Sequence, residues 1–168
     1  RHALPMPGIY ALSKVLGVLL LAYLPWAATL LGTRFTRESM MVSFAALIAV
    51  GILGWRRTAA HVTNRADIVA TEALYWFAFA LFLQVRAWNP EIYWGEKPMD
   101  FAFLNALTRS SDIPPPEPWF SGSTLHYTYF GHYIVAAIGK LCHVHPSITF
   151  NLGIGLFAAL TAVGAYAA

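Results

Sequence analysis

The chain has 168 residues, of which 58% are hydrophobic and only 11% are charged, and its formal net charge is +3. A soluble globular domain carries about 25% charged residues, so this composition excludes an ordinary water-soluble domain. The single cysteine excludes a disulfide framework and a cysteine-based metal motif, and the small net charge, with basic residues at the ends of apolar runs, excludes a nucleic-acid-binding patch.

Apolar runs of membrane-spanning length predict an all-α fold, a polytopic integral membrane helix bundle with about five spans. The predicted spans cover residues 9–32, 38–55, 68–88, 129–145 and 147–168. One large polar loop, residues 89–128, separates the third span from the fourth and holds five of the eight carboxylates, so chemistry is expected there. We expect a single membrane domain that is the N-terminal portion of a longer protein.

The orientation follows from the arginines. The short loop between the second and third spans carries Arg56, Arg57 and Arg65, and short loops rich in Lys and Arg tend to stay in the cytoplasm. Loop 89–128 is therefore expected to be extracytoplasmic. The same topology places Lys140 and His143, at the end of the fourth predicted span, near the cytoplasmic face.

Within the large loop, residues 97–109 have apolar side chains at helical spacing, which predicts a short helix lying along the membrane interface. Asp100 falls in its first turn, where the helix N-terminus stabilises a carboxylate. Two interpretations stay open for Asp100: a helix cap, or a catalytic base or ion ligand that faces a cavity. Glu96 has the same two interpretations.

Two aromatic segments follow. The run Pro114–Pro116 predicts an extended strap, and Trp119 after it is expected either in the headgroup layer or as a platform that stacks on a sugar ring. In LHYTYFGHY, residues 125–133, several hydroxyl and imidazole groups meet at a membrane boundary, where unpaired polar groups are costly. One interpretation is a tyrosine belt with a hydrogen-bonded histidine. The others are a substrate pocket and, with no familiar ligand spacing, haem or metal ligation by His126 and His132.

The third predicted span carries a charge near each end. Glu72 lies about one turn inside the end next to the arginine-rich loop, and Arg86 lies about one turn inside the other end. Such side chains can snorkel to the interface, but an ionisable residue inside a span is also a functional candidate. Arg86 is close enough to loop 89–128 to hold an anionic group.

Three runs, GEKPMDFAFLNALTRS, PPEPWFSG and HYTYFGHYIVA, resemble the signature of the YYY family of bacterial and archaeal multi-span membrane proteins. The likeness extends from the loop after the third span through FNLGIGLFAALTA in the last span. The family pattern has an asparagine and three consecutive tyrosines before Phe-Gly-His, whereas this chain has His126, Tyr127, Thr128 and Tyr129. The resemblance implies an integral protein of a prokaryotic plasma membrane.

The YYY family is in turn similar to GT-C glycosyltransferases, which use sugars linked to a lipid phosphate. In those enzymes an acidic residue on the first large outer loop, on a short interfacial helix after a span, serves the acceptor or the metal. Asp100 occupies the matching place. The resemblance implies a polyprenyl-phosphate sugar as donor, membrane lipid as a partner and compatibility with a divalent metal, with no cofactor firmly required. The residues that would bind substrate are Arg86, Glu96, Lys97, Trp119, His126, Tyr127, Tyr129 and His132.

The alternative is a non-catalytic membrane subunit or scaffold that packs against other membrane subunits. Small residues in the last span would give it a face for close helix approach, and the same face would serve packing within a single chain. These residues are Gly153, Gly155, Ala158, Ala159, Ala162 and Gly164. A transporter has little support, because the chain shows no internal repeat.

Overall fold

A computed structural model describes residues 8–58 and 64–168 of the chain, and within these residues it contains helices and no named strand. The helices, in chain order, are α1 (Ile9–Thr29), α2 (Arg37–Thr58), α3 (Arg65–Ala87), α4 (Lys97–Arg109), α5 (Phe130–Cys142) and α6 (Pro146–Ala167). Among the described residues, α1, α2, α3 and α6 are long and apolar enough to cross a membrane. The predicted helical membrane bundle is therefore confirmed. Part of the arginine-rich loop, residues 59–63, lies outside the described residues.

Local sequence signals fix where the spanning helices begin. Before α2, the Thr36 Oγ1 accepts a hydrogen bond from the Ser39 backbone N–H at 3.4 Å, and the Ser39 Oγ accepts one from the Thr36 N–H at 3.1 Å. Before α3, the Asn64 side-chain oxygen accepts a hydrogen bond from the Ala66 N–H at 3.1 Å. A helix leaves its first N–H groups without intrahelical partners, and such side chains satisfy them.

Helix α6 is the central element, because it packs against α1, α3, α4 and α5. It runs antiparallel to α3. Arg86 near the end of α3 hydrogen-bonds to Asn151 near the start of α6, and Asp67 near the start of α3 accepts a hydrogen bond from Tyr166 near the end of α6. The small residues of α6 allow these contacts; Leu83 of α3, for example, lies directly over Gly155.

The two ends of the bundle can now be defined. Gly8, just before α1, lies against Ala167, so α1 also runs antiparallel to α6 and parallel to α3. We call the end where α1 and α3 finish and α6 begins the loop end, because residues 88–129 lie there. The starts of α1 and α3 and the end of α6 lie at the opposite end.

Helix α5 corrects the prediction of a span over residues 129–145. It has 13 residues, which gives a length of about 20 Å, whereas the hydrocarbon core of a bilayer is about 30 Å thick. Val135 lies against Gly153 and Gly139 lies against Thr149, so α5 runs antiparallel to the first half of α6. It therefore begins inside the bundle and ends at the loop end.

The contacts of Lys140 also show that α5 ends at the loop end. Its Nζ donates hydrogen bonds of 2.7 Å to the backbone oxygens of Phe35 and Ser110, and it lies 3.9 Å from the centroid of the Phe35 ring. Both oxygens belong to loop-end connections, so the expected position of Lys140 at the opposite face is wrong. Burial lowers the pKa of Lys140 to about 8, a value that leaves the ammonium mostly protonated at neutral pH.

Helix α4 has the bounds that the sequence predicts, but its apolar face lies elsewhere. Phe103, Leu104 and Leu107 are 4%, 1% and 0% exposed, respectively. They are buried inside the protein, where α4 packs mainly on α5 and also on α6. The expectation that this face is docked on the membrane interface is therefore wrong, and α4 is part of the protein core at the loop end.

The course of α5 can be tested by cysteine labelling. The native Cys142 is exposed at the end of α5, and Ser111 lies in the connection after α4. Because both are at the loop end, an impermeant thiol reagent applied to intact cells should treat Cys142 and a Ser111→Cys variant in a Cys142→Ser background alike. An Ala66→Cys variant in that background lies at the opposite end of the bundle. It should therefore be protected from the reagent if Cys142 and Ser111→Cys are labelled, and labelled if they are protected. If Cys142 and Ala66→Cys were labelled from the same side and Ser111→Cys were not, the predicted span over residues 129–145 would be correct.

Candidate functional site

A groove of about 390 Å³ lies at the loop end between α4, α5 and α6. We call it the Asp100 groove. Its polar wall contains Lys97 and Asp100 from α4, Thr128, and His132 from α5. Its apolar wall comes chiefly from α6, through Phe150, Ile154 and Phe157. Polar groups and a hydrocarbon-like surface thus share one cavity beside the loop-end half of α6.

The centre of the polar wall is a pair formed by Asp100 and His132. The Asp100 Oδ1 lies 3.2 Å from the His132 Nε2, and the two side chains are 34% and 24% exposed. Each residue sits in the first turn of its helix, so two rigid elements hold the pair. The contact is a hydrogen bond when the imidazole is neutral and an ion pair when it is protonated. Asp100 therefore contacts α5 across the groove and does not serve as the simple helix cap that the sequence allowed.

The second nitrogen of His132 has no protein partner. Its Nδ1 is buried and makes no hydrogen bond among the described residues, while the ring packs edge-on against Phe103 at 5.9 Å between centroids. When the Nε2–H donates to Asp100, the Nδ1 is an acceptor without a donor. Buried acceptors normally have a hydrogen-bond partner, so the Nδ1 is a polar atom whose hydrogen bond is not satisfied by the described residues.

Lys97 and Glu96 lie at the start of α4 and differ in their surroundings. Lys97 lines the groove, and its Nζ is 3.5 Å from the Glu91 backbone oxygen. Glu96 is exposed and makes no capping hydrogen bond through its side chain. The structure therefore brings Lys97 to Asp100 and leaves Glu96 facing outward.

Arg86 has a structural position that sequence reasoning did not anticipate. It is only 8% exposed, and its Nε donates to the Asn151 Oδ1 at 2.5 Å. The two terminal nitrogens donate to backbone oxygens of the connection after α3, those of Asn89, Pro90 and Glu91. Most guanidinium donors are thus occupied within the protein. The predicted role of Arg86 in binding a phosphate stays a prediction, and these contacts do not favour it.

The aromatic motif divides into two groups. Tyr127 does not line the groove; its ring lies 5.5 Å from that of Phe103, which in turn packs on His132. The Tyr129 hydroxyl instead accepts a hydrogen bond from the Trp26 Nε1 of α1 at 3.3 Å, which places it among the helices rather than in the groove lining. This contact is partly buried, and the tyrosine-belt interpretation of the motif stays a prediction.

His126 and Trp119 belong to the connection between α4 and α5. The His126 Nε2 pairs with the Thr124 Oγ1 at 3.2 Å, and neither His126 nor Trp119 lines the groove. Trp119 is 60% exposed. Within residues 8–58 and 64–168, no group of three His, Cys, Asp or Glu side chains is arranged to hold a metal ion.

The sequence analysis missed the apolar wall of the groove. Phe150, Ile154 and Phe157 are spaced four and three residues apart, which places them in one stripe on α6. A period-3.6 stripe on an all-apolar span is hard to recognise, because every face of the helix is hydrophobic. Thr128 was also missed as a lining residue, although it stands in the middle of the tyrosine motif.

The structural role of Arg86 predicts a specific loss of stability. In Arg86→Met, four backbone and side-chain acceptors lose a charged donor, so the free energy of unfolding should fall by about 3 kcal/mol or more. Thermal unfolding in detergent measures this change. Arg34→Met, at an exposed position of the α1–α2 connection, should change stability by no more than about 0.5 kcal/mol. Equal stability of the two variants would contradict the structural role.

Comparison with known proteins gives one match. A family model described as "Uncharacterized membrane protein (DUF2298)" matches residues 19–168, which include every helix of the Asp100 groove. No curated protein and no solved structure matches the chain significantly.

Proposed function

This chain belongs to the DUF2298 family of membrane proteins, and we propose that it is a GT-C-like membrane glycosyltransferase whose donor is a sugar linked to a lipid phosphate. The observation that carries the proposal is the Asp100–His132 pair on the wall of a groove that is polar on one side and apolar on the other. A lipid-linked sugar likewise combines a polar sugar phosphate with an apolar lipid chain. The resemblance to the YYY family and to GT-C enzymes supports the same assignment.

Asp100 is the proposed general base. Its carboxylate would accept the proton of an acceptor hydroxyl while the hydroxyl oxygen forms a bond to the anomeric carbon of the sugar. The bond between that carbon and the phosphate oxygen breaks, and its electron pair leaves with the polyprenyl phosphate. A positioned base of this kind contributes about 10²–10⁴-fold to a rate.

His132 and Lys97 would act beside Asp100. The imidazole holds one carboxylate oxygen through its Nε2, which would fix the direction of the other oxygen toward the acceptor. Lys97 would hold the donor phosphate as a point charge. The apolar stripe of α6 would contact the first part of the lipid chain.

A divalent metal is compatible with this site. Asp100 and His132 are residue types that bind such ions, and Mg²⁺ is commonly held by one or two carboxylates together with substrate phosphates. A metal bound there would stabilise charge on the leaving phosphate.

The proposed location is a prokaryotic plasma membrane with the loop end outside the cytoplasm. Arg56, Arg57 and Arg65 support this orientation, because they fall at the end of α2 and the start of α3, at the opposite end of the bundle. Transfer would then occur at the extracytoplasmic face.

A non-catalytic membrane subunit is the second candidate. The observation behind it is that α2 packs only on α1 and α5 among the described helices, which leaves an exposed apolar face, with Val42 at 69% and Val50 at 66%, available to another membrane subunit. The small residues of α6 no longer support it, because Gly153 and Gly155 contact side chains of α5 and α3 within the chain.

The test is Asp100→Asn, which keeps the size of the side chain and removes the base. The purified protein is assayed for transfer from polyprenyl-phosphate sugars, with folding checked by thermal unfolding. The rate should fall by roughly 10²–10⁴-fold. Glu96→Gln, which alters an exposed carboxylate one helical turn away, is the matched control and should retain nearly all activity. A folded Asp100→Asn protein with near-normal turnover would remove Asp100 from the reaction and favour the subunit.

A further inference from the structure

A second cleft of about 390 Å³ lies in the membrane-spanning part of the bundle, toward the end opposite the loops. We call it the Lys14 cleft. Its floor is α1, which contributes Lys14, Gly17 and Leu21, and Leu160 of α6 also lines it. One side is formed by α2, through Phe44, Leu47 and Ile48, and the other side by Tyr75 of α3. None of these residues belongs to the Asp100 groove.

The cleft is open toward the surrounding bilayer. Within the described residues, α2 and α3 do not contact each other, so the space between them is closed only by α1 and α6. At Gly17, a Cβ atom would meet no other atom within 4 Å. The volume falls within the range of about 300–1,000 Å³ that is typical of small-molecule sites, and apart from Ser13, Lys14 and Tyr75 the lining residues are apolar.

The polar mouth of the cleft is built around the Lys14 ammonium. Its Nζ lies 2.8 Å from the Glu72 Oε1 and 4.3 Å from the centroid of the Tyr75 ring. The Tyr10 hydroxyl donates to the same carboxylate oxygen at 2.6 Å. An ammonium has three N–H donors, and Glu72 accepts from one of them. Lys14 is five residues into α1, which is about 8 Å along the helix axis, so its ammonium is within reach of a headgroup.

The charged residues in the sequence at this end of the bundle favour an anionic headgroup. Arg56 and Arg57 lie in the last turn of α2, and Arg65 is the first residue of α3. Together with Lys14 they outnumber the two carboxylates of this end, Asp67 and Glu72. Basic residues at a membrane surface attract anionic lipids by about 1 kcal/mol each.

We propose that the Lys14 cleft binds a phospholipid with an anionic headgroup, independently of the Asp100 groove and of the proposed transferase activity. The phosphate contacts Lys14, and one acyl chain lies along Gly17 and Leu21 between α2 and α3. The lipid fills the gap between two helices that do not contact each other and so stabilises the position of α2, which packs only on α1 and α5 among the described helices.

The experiment is native mass spectrometry of the purified protein with added palmitoyl-oleoyl-phosphatidylglycerol or palmitoyl-oleoyl-phosphatidylcholine. We expect one tightly bound phosphatidylglycerol and an affinity at least about five-fold higher than that for phosphatidylcholine. Gly17→Leu places a side chain in the cleft and should weaken phosphatidylglycerol binding about tenfold. Gly51→Leu is the matched control, because Gly51 of α2 also has open space at its Cβ position and does not line the cleft. It should bind like the native protein.

The charge requirement is tested separately with Lys14→Met combined with Glu72→Gln, which removes the ion pair without leaving an unpaired carboxylate. This double variant should lose the preference for phosphatidylglycerol. Equal affinity of the native protein for the two lipids, or equal effects of Gly17→Leu and Gly51→Leu, would overturn the proposal. A lipid-free dimer that is lost in Gly17→Leu would also overturn it, because the cleft would then be an interface between two copies of the chain.

Discussion

The half-buried ammonium of Lys140 holds the loop end together. Taking a charge out of water is costly unless hydrogen bonds compensate for it, and two backbone oxygens and the face of the Phe35 ring do so. One oxygen belongs to the α1–α2 connection and the other to Ser110, directly after α4. A single side chain of α5 therefore joins both loop-end segments. The Asp100–His132 contact joins α4 and α5 again about two turns closer to their starts, so the two helices must run side by side in the same direction.

Arg86 constrains the connection that leads into α4. Its planar guanidinium can serve several acceptors in fixed directions, which the compact ammonium of a lysine cannot. By bonding to the oxygens of Asn89, Pro90 and Glu91 and to Asn151, it fixes the path of the chain from α3 to α4 relative to α6. The start of α4 is thereby fixed, and with it the position of Asp100. The residue is important for the site through the backbone that it holds.

The sequence was sufficient for the features that depend on local pattern. The helix at residues 97–109 was predicted with the bounds that the structure has, because its apolar residues repeat at helical spacing. The bundle class was predicted because uninterrupted runs of about 20 apolar residues are typical of membrane-spanning helices. Asp100 and His132 were both named as candidates, but their contact was not, since 32 residues separate them and no local pattern records which helices pack together.

The errors share one physical cause, which is that an apolar surface does not reveal whether protein or lipid covers it. The face of α4 with Phe103 and Leu104 suits a membrane interface and a protein core equally well, and the structure places it in the core. The apolar stretch of α5 was extended to membrane length by including Tyr129 at one end and residues 143–145 at the other. Contacts of Gly139 and Val135 with α6 show instead a short helix that begins inside the bundle and returns to the loop end.

Thr128 shows how the tyrosine motif affects the shape of the groove. It lines the Asp100 groove and occupies the central position of the motif in which the YYY pattern has a tyrosine. A threonine side chain is smaller than a phenol ring, so the groove of this chain has space beside His132 that a tyrosine would reduce. The neighbouring Tyr127 packs on Phe103 and Tyr129 bonds to Trp26, so neither fills that space. The width of the groove at this point therefore depends on the residue at position 128.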